Sequence, residues 1–176
     1  MDITRNYFEF LGLPVGFDVD QSQLSERYRS LQQQLHPDRH SHQSDREQRL
    51  AVQYSTYLNE ALATLKSPLK RAQYLLSLKG IDTLSDSRSQ LDPMFLMEQM
   101  ELRERVAEAA DHADPEAELE ALDQQVTKAL KQLQAEFAQA WADAALEQAE
   151  QAVRKMQFMV KLQSEVEALE DRLFDD

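Results

Sequence analysis

The stretch Ser30–His42, SLQQQLHPDRHSH, decides how the first part of the chain folds. It begins inside an amphipathic helix, because Asp20 can cap a helix N-terminus and apolar residues follow at spacings of four, three and four: Leu24, Tyr28, Leu31 and Leu35. Pro37 ends that helix, since the residue before a proline is pushed toward extended geometry. The sequence therefore predicts a helix that stops at a polar turn, His36-Pro37-Asp38.

A second helix is predicted to follow the turn and to pair with the first as an antiparallel hairpin. Ser44 and Glu47 stand at capping-box spacing, and a long apolar pattern comes after them: Leu50, Tyr54, Tyr57, Leu58, Ala61, Leu62 and Leu65. Ser67-Pro68 then opens a further short helix, and Gly80 supplies a stop. On this prediction the turn is displayed at the tip of the hairpin.

The composition indicates an all-α protein. The 176 residues are 42% hydrophobic and include only three Gly and five Pro, fewer than turn-rich β folds need. With no cysteine, the chain cannot form disulfides or Cys-ligated zinc or iron–sulfur sites. Its start, MDITRNYFEF, does not have the form of a signal peptide, and no apolar run is long enough for a membrane span. We expect a cytoplasmic protein with no membrane partner.

Charge divides the chain into two unlike parts. Residues 1–79 carry 10 basic and 9 acidic side chains, a net charge of +1. Residues 80–176 carry 9 basic and 23 acidic side chains, a net charge of −14, which accounts for the total of −13. Because nucleic-acid phosphates would repel the acidic part, we expect no nucleic-acid partner.

The acidic part is predicted to form a three-helix bundle after a linker. Asp92-Pro93 and Asp114-Pro115 each supply an N-cap followed by proline at the first helical position. One helix carries Leu119, Leu122, Val126, Leu130, Leu133, Phe137 and Trp141, and the last carries Ala149, Ala152, Met156, Met159, Val166 and Leu173. The break between them is placed near residues 141–145. The predicted domains are 1–79, a linker at 80–92, and a bundle at 93–176.

The helix that starts at Pro93 has two apolar faces. At about 100° per residue, a core face is formed by Phe95, Leu102, Val106 and Ala109. Roughly opposite lie Leu96, Met97 and Met100, bordered by Glu101, Arg103 and Glu104, and Phe158 of the last helix could extend this patch. Exposed apolar patches rimmed by charge are typical of partner sites. The alternative is that the linker or the first domain covers these side chains.

The histidines do not form a convincing metal or catalytic site. His36 and His40 are four residues apart, but Pro37 interrupts the helix that would bring them together, and Asp38 and His42 add only loose donors. No nucleophile with an orienting base and no phosphate-binding glycine loop is present. We therefore predict no catalytic residue, no metal and no cofactor, and interpret His40 and His42 as polar loop residues. A fixed Asp38 carboxylate is suited to receive an arginine from a partner.

A helical hairpin with His-Pro-Asp in its connection, followed by NEALATLKSPLKRAQYLL (59–76), resembles the J domain of DnaJ-type co-chaperones. Three further segments resemble the HscB family, the J-type co-chaperones of bacterial iron–sulfur cluster assembly: RAQYLLSLKG (71–80), FLMEQMELRE (95–104) and VRKMQFMVKL (153–162). The Gly/Phe-rich segment and the Cys-rich zinc repeats of general DnaJ proteins are missing.

This resemblance implies a co-chaperone that is not an enzyme. The J domain would dock on the ATP-bound form of a DnaK-like chaperone, HscA, and trigger its ATP hydrolysis. His36, Pro37 and Asp38 match the family's essential loop, and Arg27 and Arg29 lie where the family uses basic residues, ordinary surface charge being the alternative. Gln32, Gln33 and Gln34 replace the lysines of many J domains, which favours a dedicated partner.

The resemblance also implies a second binding surface. The positions that match the family's site for IscU, the scaffold on which clusters are built, are Leu96, Met97, Met100, Glu101, Glu104 and Phe158. The expected protein is a monomer that holds the scaffold while its J domain recruits the ATPase. Three alternatives stay open: a J protein of another pathway that delivers unfolded clients, a metalloprotein or enzyme that uses the histidines, and a structural helical oligomer.

Overall fold

The computed structural model describes residues 3–85 and 91–175, and all regular secondary structure in these ranges is helical, with no strand among them. The helices are α1 (Tyr7–Phe10), α2 (Gln21–Leu35), α3 (Asp45–Lys66), α4 (Pro68–Leu78), α5 (Pro93–Glu108), α6 (Pro115–Ala142) and α7 (Leu146–Phe174), with 3₁₀ turns at Pro37–His40 and Ala109–Asp111. The all-α prediction is confirmed. No helix in the described ranges is both long and apolar enough to cross a bilayer.

The chain divides into two compact units, Met1–Leu75 and Leu76–Asp176, so the boundary falls within α4. The limits 1–79, 80–92 and 93–176 stay a prediction. Of the predicted linker, residues 86–90 lie outside the described residues.

Unit 1 is built on the hairpin of α2 and α3. Asp20 caps α2 by accepting hydrogen bonds from the backbone N–H groups of Ser22 and Gln23, and Ser44 caps α3 in the same way. The Tyr28 hydroxyl donates to the Asn59 amide oxygen across the hairpin at 2.7 Å. The shared core consists of Leu24, Leu35, Ala51, Leu58, Ala61 and Leu65.

The prediction for the apolar face of α3 was wrong at one residue, Leu50, near the tip of the hairpin. Leu50 is exposed, and its neighbour Ala51 is buried in its place. Ala51 is seven residues before Leu58, so it lies on the same side of the helix as the core. Leu50 instead lines a groove of about 320 Å³ beside the His36-Pro37-Asp38 turn, together with Leu35 and Tyr54.

Aromatic and cationic side chains attach α1 and α4 to the hairpin. The Tyr7 ring stacks on Tyr74 with centroids 4.5 Å apart, and the Tyr7 backbone N–H donates to the Tyr74 hydroxyl at 2.9 Å. The buried Arg71 guanidinium donates to the Leu65 carbonyl at 2.6 Å and lies over the Phe17 ring. Burial lowers the pKa of Arg71, which is the expected effect of removing a cation from water.

Unit 2 contains the predicted three-helix bundle. The contacts between α5 and α7 advance together along both helices, so these helices run parallel: Asp92 with Lys155, Phe95 with Phe158, and Arg103 with Glu165. Helix α6 runs antiparallel to them, since Arg105 near the end of α5 pairs with Glu118 near the start of α6. The core residues predicted for α7 are buried except Leu173, which is exposed in the final turn.

The connection between α6 and α7 falls where the sequence placed it, although no glycine or proline marks it. Ala144 has a φ of 56°, in the left-handed region that non-glycine residues seldom adopt. The turn is stabilised by backbone hydrogen bonds from Asp143 to Gln139 and from Ala145 to Ala140. These backbone hydrogen bonds stabilise a turn that no glycine or proline indicates in the sequence.

The first part of the predicted linker is attached to α7. The buried Arg154 donates to the carbonyls of Ser85 at 3.0 Å and Asp82 at 3.2 Å, and it pairs with Glu150 one turn earlier at 2.9 Å. Gln157 donates to the carbonyl of the buried Thr83 at 2.7 Å. Residues 82–85 thus form part of the folded unit 2.

We expect Arg154→Ala to lower the free energy of unfolding of unit 2 by about 2 kcal/mol, because it removes the buried guanidinium that donates to the part-buried carbonyls of Asp82 and Ser85 and leaves Glu150 without its partner. Urea denaturation measures the loss, and hydrogen exchange should show faster exchange at residues 82–85. The exposed Lys161→Ala on the same helix serves as a control and should change neither. Equal stability and protection in the two variants would contradict this account of the segment.

Candidate functional site

The backbone of the His36-Pro37-Asp38 turn is held by its own side chains. Helix α2 ends at Leu35, and Pro37 begins the 3₁₀ turn that follows. The Nδ1 atom of His36 accepts a hydrogen bond from the Asp38 backbone N–H at 3.2 Å. The Ser41 hydroxyl donates to the Asp38 carbonyl at 3.1 Å. Both backbone polar groups of Asp38 are therefore satisfied locally.

The Asp38 carboxylate projects into solvent, with 92% of its side chain exposed. One of its oxygens is 3.6 Å from Nδ1 of His36, but an ion pair there requires a proton on Nδ1. Nδ1 of His36 is also the atom that accepts the Asp38 backbone N–H, and the carboxylate itself stays almost fully exposed. A fixed, exposed carboxylate of this kind can accept a paired hydrogen bond from an arginine.

His40 and Gln48 close the loop, a role that the sequence did not indicate. The Nε2 atom of His40 is 2.9 Å from the Gln34 carbonyl at the end of α2, and Nδ1 is 2.6 Å from Oε1 of Gln43. Gln48, in the first turns of α3, donates to the carbonyls of Ser41 and Gln43. His40 is a polar residue of the loop, as the sequence indicated, and its ring also bridges the two ends of the turn.

The structure does not bring the two predicted arginines to one spot. Arg27 and Arg29 are both exposed, but two residues along a helix turn the side chains about 160° apart. Nη1 of Arg27 lies 3.3 Å from where a Cβ on Gly12 would be, so Arg27 sits beside the loop after α1. Arg29 lies on the opposite side of α2, one turn before Gln33. Their role as chaperone contacts stays a prediction.

The outer face of α5 in unit 2 carries exposed methionines. Met97 and Met100 are largely exposed, as the helical angles predicted, and Glu101 and Glu104 are exposed beside them. The sequence analysis missed Met94, which is more exposed than either. Its spacing of three from Met97 was the available signal, since residues three apart neighbour each other on a helix.

The two other predicted members of the patch lie on the seam between α5 and α7. Phe158 is half-buried, with its ring edge-on to Phe95 at 6.2 Å. Leu96 is also half-buried. It lies two turns before Arg103 on α5, and Phe158 lies two turns before Glu165 on α7. Because Arg103 pairs with Glu165 at 3.4 Å, the same offset puts Leu96 and Phe158 on this seam. Leu96 therefore flanks the methionine face.

Polar contacts at the start of α5 fix the orientation of this face. The Asp92 carboxylate accepts the Phe95 backbone N–H at 2.8 Å and pairs with Lys155 at 2.9 Å, and these two interactions hold the pKa of Asp92 below its ordinary value. The Lys155 ammonium also lies over the Phe95 ring, 5.5 Å from its centroid. With its inner side held against α7, α5 presents its methionines outward.

The described residues contain no group of three His, Asp or Glu side chains placed to hold a metal ion. Both ring nitrogens of His40 are engaged in the hydrogen bonds of the turn. The turn presents the Asp38 carboxylate, and α5 presents an apolar face. Both are suited to contact another protein.

Comparison with known proteins gives matches along nearly the whole chain. A model of the DnaJ domain matches residues 6–74, and a model of the HSCB C-terminal oligomerisation domain matches residues 91–167. The co-chaperone protein HscB homolog of Vibrio cholerae is 48% identical over 172 residues, which cover 96% of this chain and 98% of that protein. The homolog of Shewanella loihica is 45% identical over 172 residues, covering 96% of this chain and 99% of that protein.

Solved structures agree with these matches. The chaperone HscB from Vibrio cholerae superposes with a TM-score of 0.87 at 45% identity, covering 97% of this chain and 100% of that one. Human co-chaperone protein HscB gives a TM-score of 0.91 at 31% identity, covering 98% and 86%.

The hairpin with its His-Pro-Asp turn and the DnaJ-domain match define a J-domain co-chaperone, a class whose partner is a DnaK-like chaperone. Within that class the chain belongs to the HscB family, named for co-chaperones of iron–sulfur assembly. The resemblance stated from the sequence is confirmed.

The hydrogen bonds of His40 predict a dependence of the turn on pH. The Gln43 side chain and then the Gln34 carbonyl raise the pKa of His40 above its ordinary 6.5 in the folded state. A raised folded pKa means that the stabilisation is complete below the unfolded pKa and is lost as pH rises through the folded pKa. Hydrogen exchange of residues 36–43 should therefore speed up across that range beyond the intrinsic pH effect.

NMR titration of the His40 ring tests the same point directly. We expect its midpoint above that of a histidine in an unfolded peptide, and we expect His40→Gln to remove the pH dependence of the exchange. His42→Gln is the control and should keep it. A His40 midpoint at or below the unfolded value would show that these hydrogen bonds do not favour the charged ring.

Proposed function

We propose that this co-chaperone binds the iron–sulfur scaffold IscU through unit 2 and delivers it to the DnaK-like chaperone HscA, whose ATPase it stimulates through its J domain. The observation that carries the proposal is the Asp38 carboxylate, 92% exposed on a turn whose backbone groups are already hydrogen-bonded. The protein would perform no bond-making itself. Its contribution would be to bring a substrate and a motor together.

The proposed contact with the chaperone depends on the charge of Asp38 and on the rigidity of the turn that carries it. A partner arginine could form a charge-assisted pair with Asp38 without displacing any internal contact, since the backbone of the turn is held by other groups. We propose His36, Pro37 and Asp38 as the central contacts. Arg29 and Arg27 are proposed as peripheral ones on two different sides of α2.

The scaffold end rests on the exposed face of α5. Met97 and Met100 offer flexible apolar surface, and Glu101 and Glu104 next to them add charge that can select a partner. We propose these four residues as the main scaffold contacts, with Leu96 and Phe158 on the adjoining seam. Met94 lies on the same face and belongs with them.

Joining the two surfaces in one chain would raise the effective concentration of scaffold at the chaperone. ATP hydrolysis would then be coupled to cluster release or transfer. We propose that the chain acts as a monomer, although the family model for unit 2 is described as an oligomerisation domain. Light scattering of the full chain gives the mass directly.

A second candidate is a J protein that delivers unfolded clients. An exposed methionine-rich face could also bind extended apolar peptides, because methionine adapts to varied surfaces. The two candidates differ in what competes for the face: a folded scaffold in the first case, and an unfolded apolar peptide in the second.

Asp38→Asn is expected to abolish stimulation of the HscA ATPase while leaving the melting temperature nearly unchanged, because the amide keeps the size of the exposed side chain and removes only its charge. Steady-state ATP hydrolysis and thermal melting measure the two effects. Glu26→Gln, an exposed charge loss elsewhere on α2, should stimulate as the parent does. Full stimulation by Asp38→Asn, or cooperative loss of its fold, would contradict the proposal.

Met97→Ala combined with Met100→Ala should weaken scaffold binding by about 2–4 kcal/mol, as central apolar contacts of interfaces often do. Calorimetry measures the affinity, and melting should be nearly unchanged because both side chains are in solvent. Met156→Ala, in the core, should show the reverse pattern of a lower melting temperature. Normal scaffold binding by the double variant would contradict the assignment of this face as the scaffold contact, and competition by unfolded apolar peptides at the parent's face would favour the second candidate.

A further inference from the structure

Three of the six sulfur atoms of this chain lie on the outer face of α5. It has six methionines and no cysteine. Among the residues that the structure describes, Met94, Met97 and Met100 are 73%, 63% and 61% exposed, whereas Met156 and Met159 are 1% and 2% exposed. Met1 lies outside the described ranges. Any oxidant in solution therefore meets the thioethers of α5 and is kept from those of the core.

The three exposed methionines form one continuous face. Successive spacings of three place Met94 and Met100 about 60° to either side of Met97. Glu101 and Glu104 fall inside the same sector, and both are exposed. The face has thioethers and carboxylates at its centre, and its cations, Lys155 and Arg103, are paired with Asp92 and Glu165 at the edge toward α7.

We propose that this methionine face is a reversible oxidation site, and that its oxidation to the sulfoxide releases the scaffold from unit 2. The inference rests on the proposed scaffold binding and names a regulation of that same surface. The oxidant is a peroxide, with hydrogen peroxide as the simplest member of the class. A thioether sulfur attacks one peroxide oxygen, the O–O bond breaks and water leaves, so the sulfur loses two electrons and the peroxide gains them.

Oxidation makes this surface more polar, and the proposed scaffold binding depends on its apolar character. A sulfoxide is polar and carries a strong hydrogen-bond acceptor, whereas the thioether is apolar and flexible. The polar side chains inside this sector of the helix are the carboxylates of Glu101 and Glu104, which can only accept hydrogen bonds when ionised. A sulfoxide buried against an apolar partner would therefore lack a donor from this chain, and the interface would weaken.

Reduction would restore the face. Methionine sulfoxide reductases return each sulfoxide epimer to the thioether, and exposed residues on a stable helix are accessible to them. The core methionines, which pack inside the bundle, would take no part in either direction. The switch would thus act on binding without unfolding the protein.

The test begins with the full-length chain and hydrogen peroxide, which is removed before the scaffold is added. Peptide mass spectrometry should find Met94, Met97 and Met100 oxidised at least about tenfold faster than Met156 and Met159, because only the first three are in contact with solvent. The dissociation constant for the scaffold should then rise by about tenfold or more. Treatment with the two sulfoxide reductases should restore it, and melting should show that the fold is retained.

The matched control is the triple variant Met94→Leu, Met97→Leu and Met100→Leu. Leucine is close to methionine in volume and is apolar, so the variant keeps the size and apolar character of the face, and its own affinity before peroxide is the reference for its affinity afterwards. It has no exposed thioether on this face, so peroxide should leave its affinity unchanged. This comparison separates oxidation at α5 from any other effect of the treatment.

The outcomes separate the inference from the proposed function on which it rests. If the untreated chain does not bind the scaffold, the proposed function fails and the switch fails with it. If the untreated chain binds and the oxidised chain binds equally well, the proposed function stands and the switch is overturned. Oxidation of the core methionines at the same rate, or equal peroxide sensitivity of the triple variant, would also overturn it.

Discussion

Helix α2 ends at Leu35, because His36 precedes a proline. The hairpin of the first unit depends on how the turn after Leu35 is hydrogen-bonded. The 3₁₀ turn that follows supplies only a few backbone hydrogen bonds, such as that from the Arg39 N–H to the His36 carbonyl, and side chains supply the others. His36 accepts the Asp38 N–H, and the rings and amides of His40 and Gln48 join the turn to both helices. The Asp38 side chain is not needed for any of these contacts, so its charge is available to a partner.

The second unit presents its surface by a related arrangement. The inner side of α5 is fixed to α7 by Asp92, Phe95 and Arg103, whose partners advance in step along the two helices. Because these contacts use one side of α5, the opposite side is left to the methionines. In both units, polar and aromatic contacts away from the proposed binding surface hold the fold. The exposed side chains proposed for binding therefore contribute little to the free energy of unfolding. Function and folding can therefore be separated by substitution.

Local signals were enough to predict most of the helices, because caps and proline positions act within a few residues. Asp20, Ser44, Asp92 and Asp114 each begin a helix by accepting a nearby backbone N–H. The sequence failed where the partner is distant along the chain. Arg154 binds the carbonyls of residues some 70 positions earlier, and nothing local to Arg154 indicates this. Ala51 is buried and Leu50 is exposed because Ala51, seven residues before Leu58, lies on the core side of the helix, and the apolar spacing alone did not distinguish the two neighbours.

In the proposed function, two protein-binding surfaces on one chain act together on a scaffold and a motor. The most direct measurement is the rate of ATP hydrolysis by HscA with the co-chaperone alone, with IscU alone, and with both. We expect the two together to stimulate hydrolysis well beyond the product of their separate effects, because the tethered scaffold reaches the chaperone at a raised effective concentration. Purely multiplicative stimulation would contradict it, since the two surfaces would then act independently.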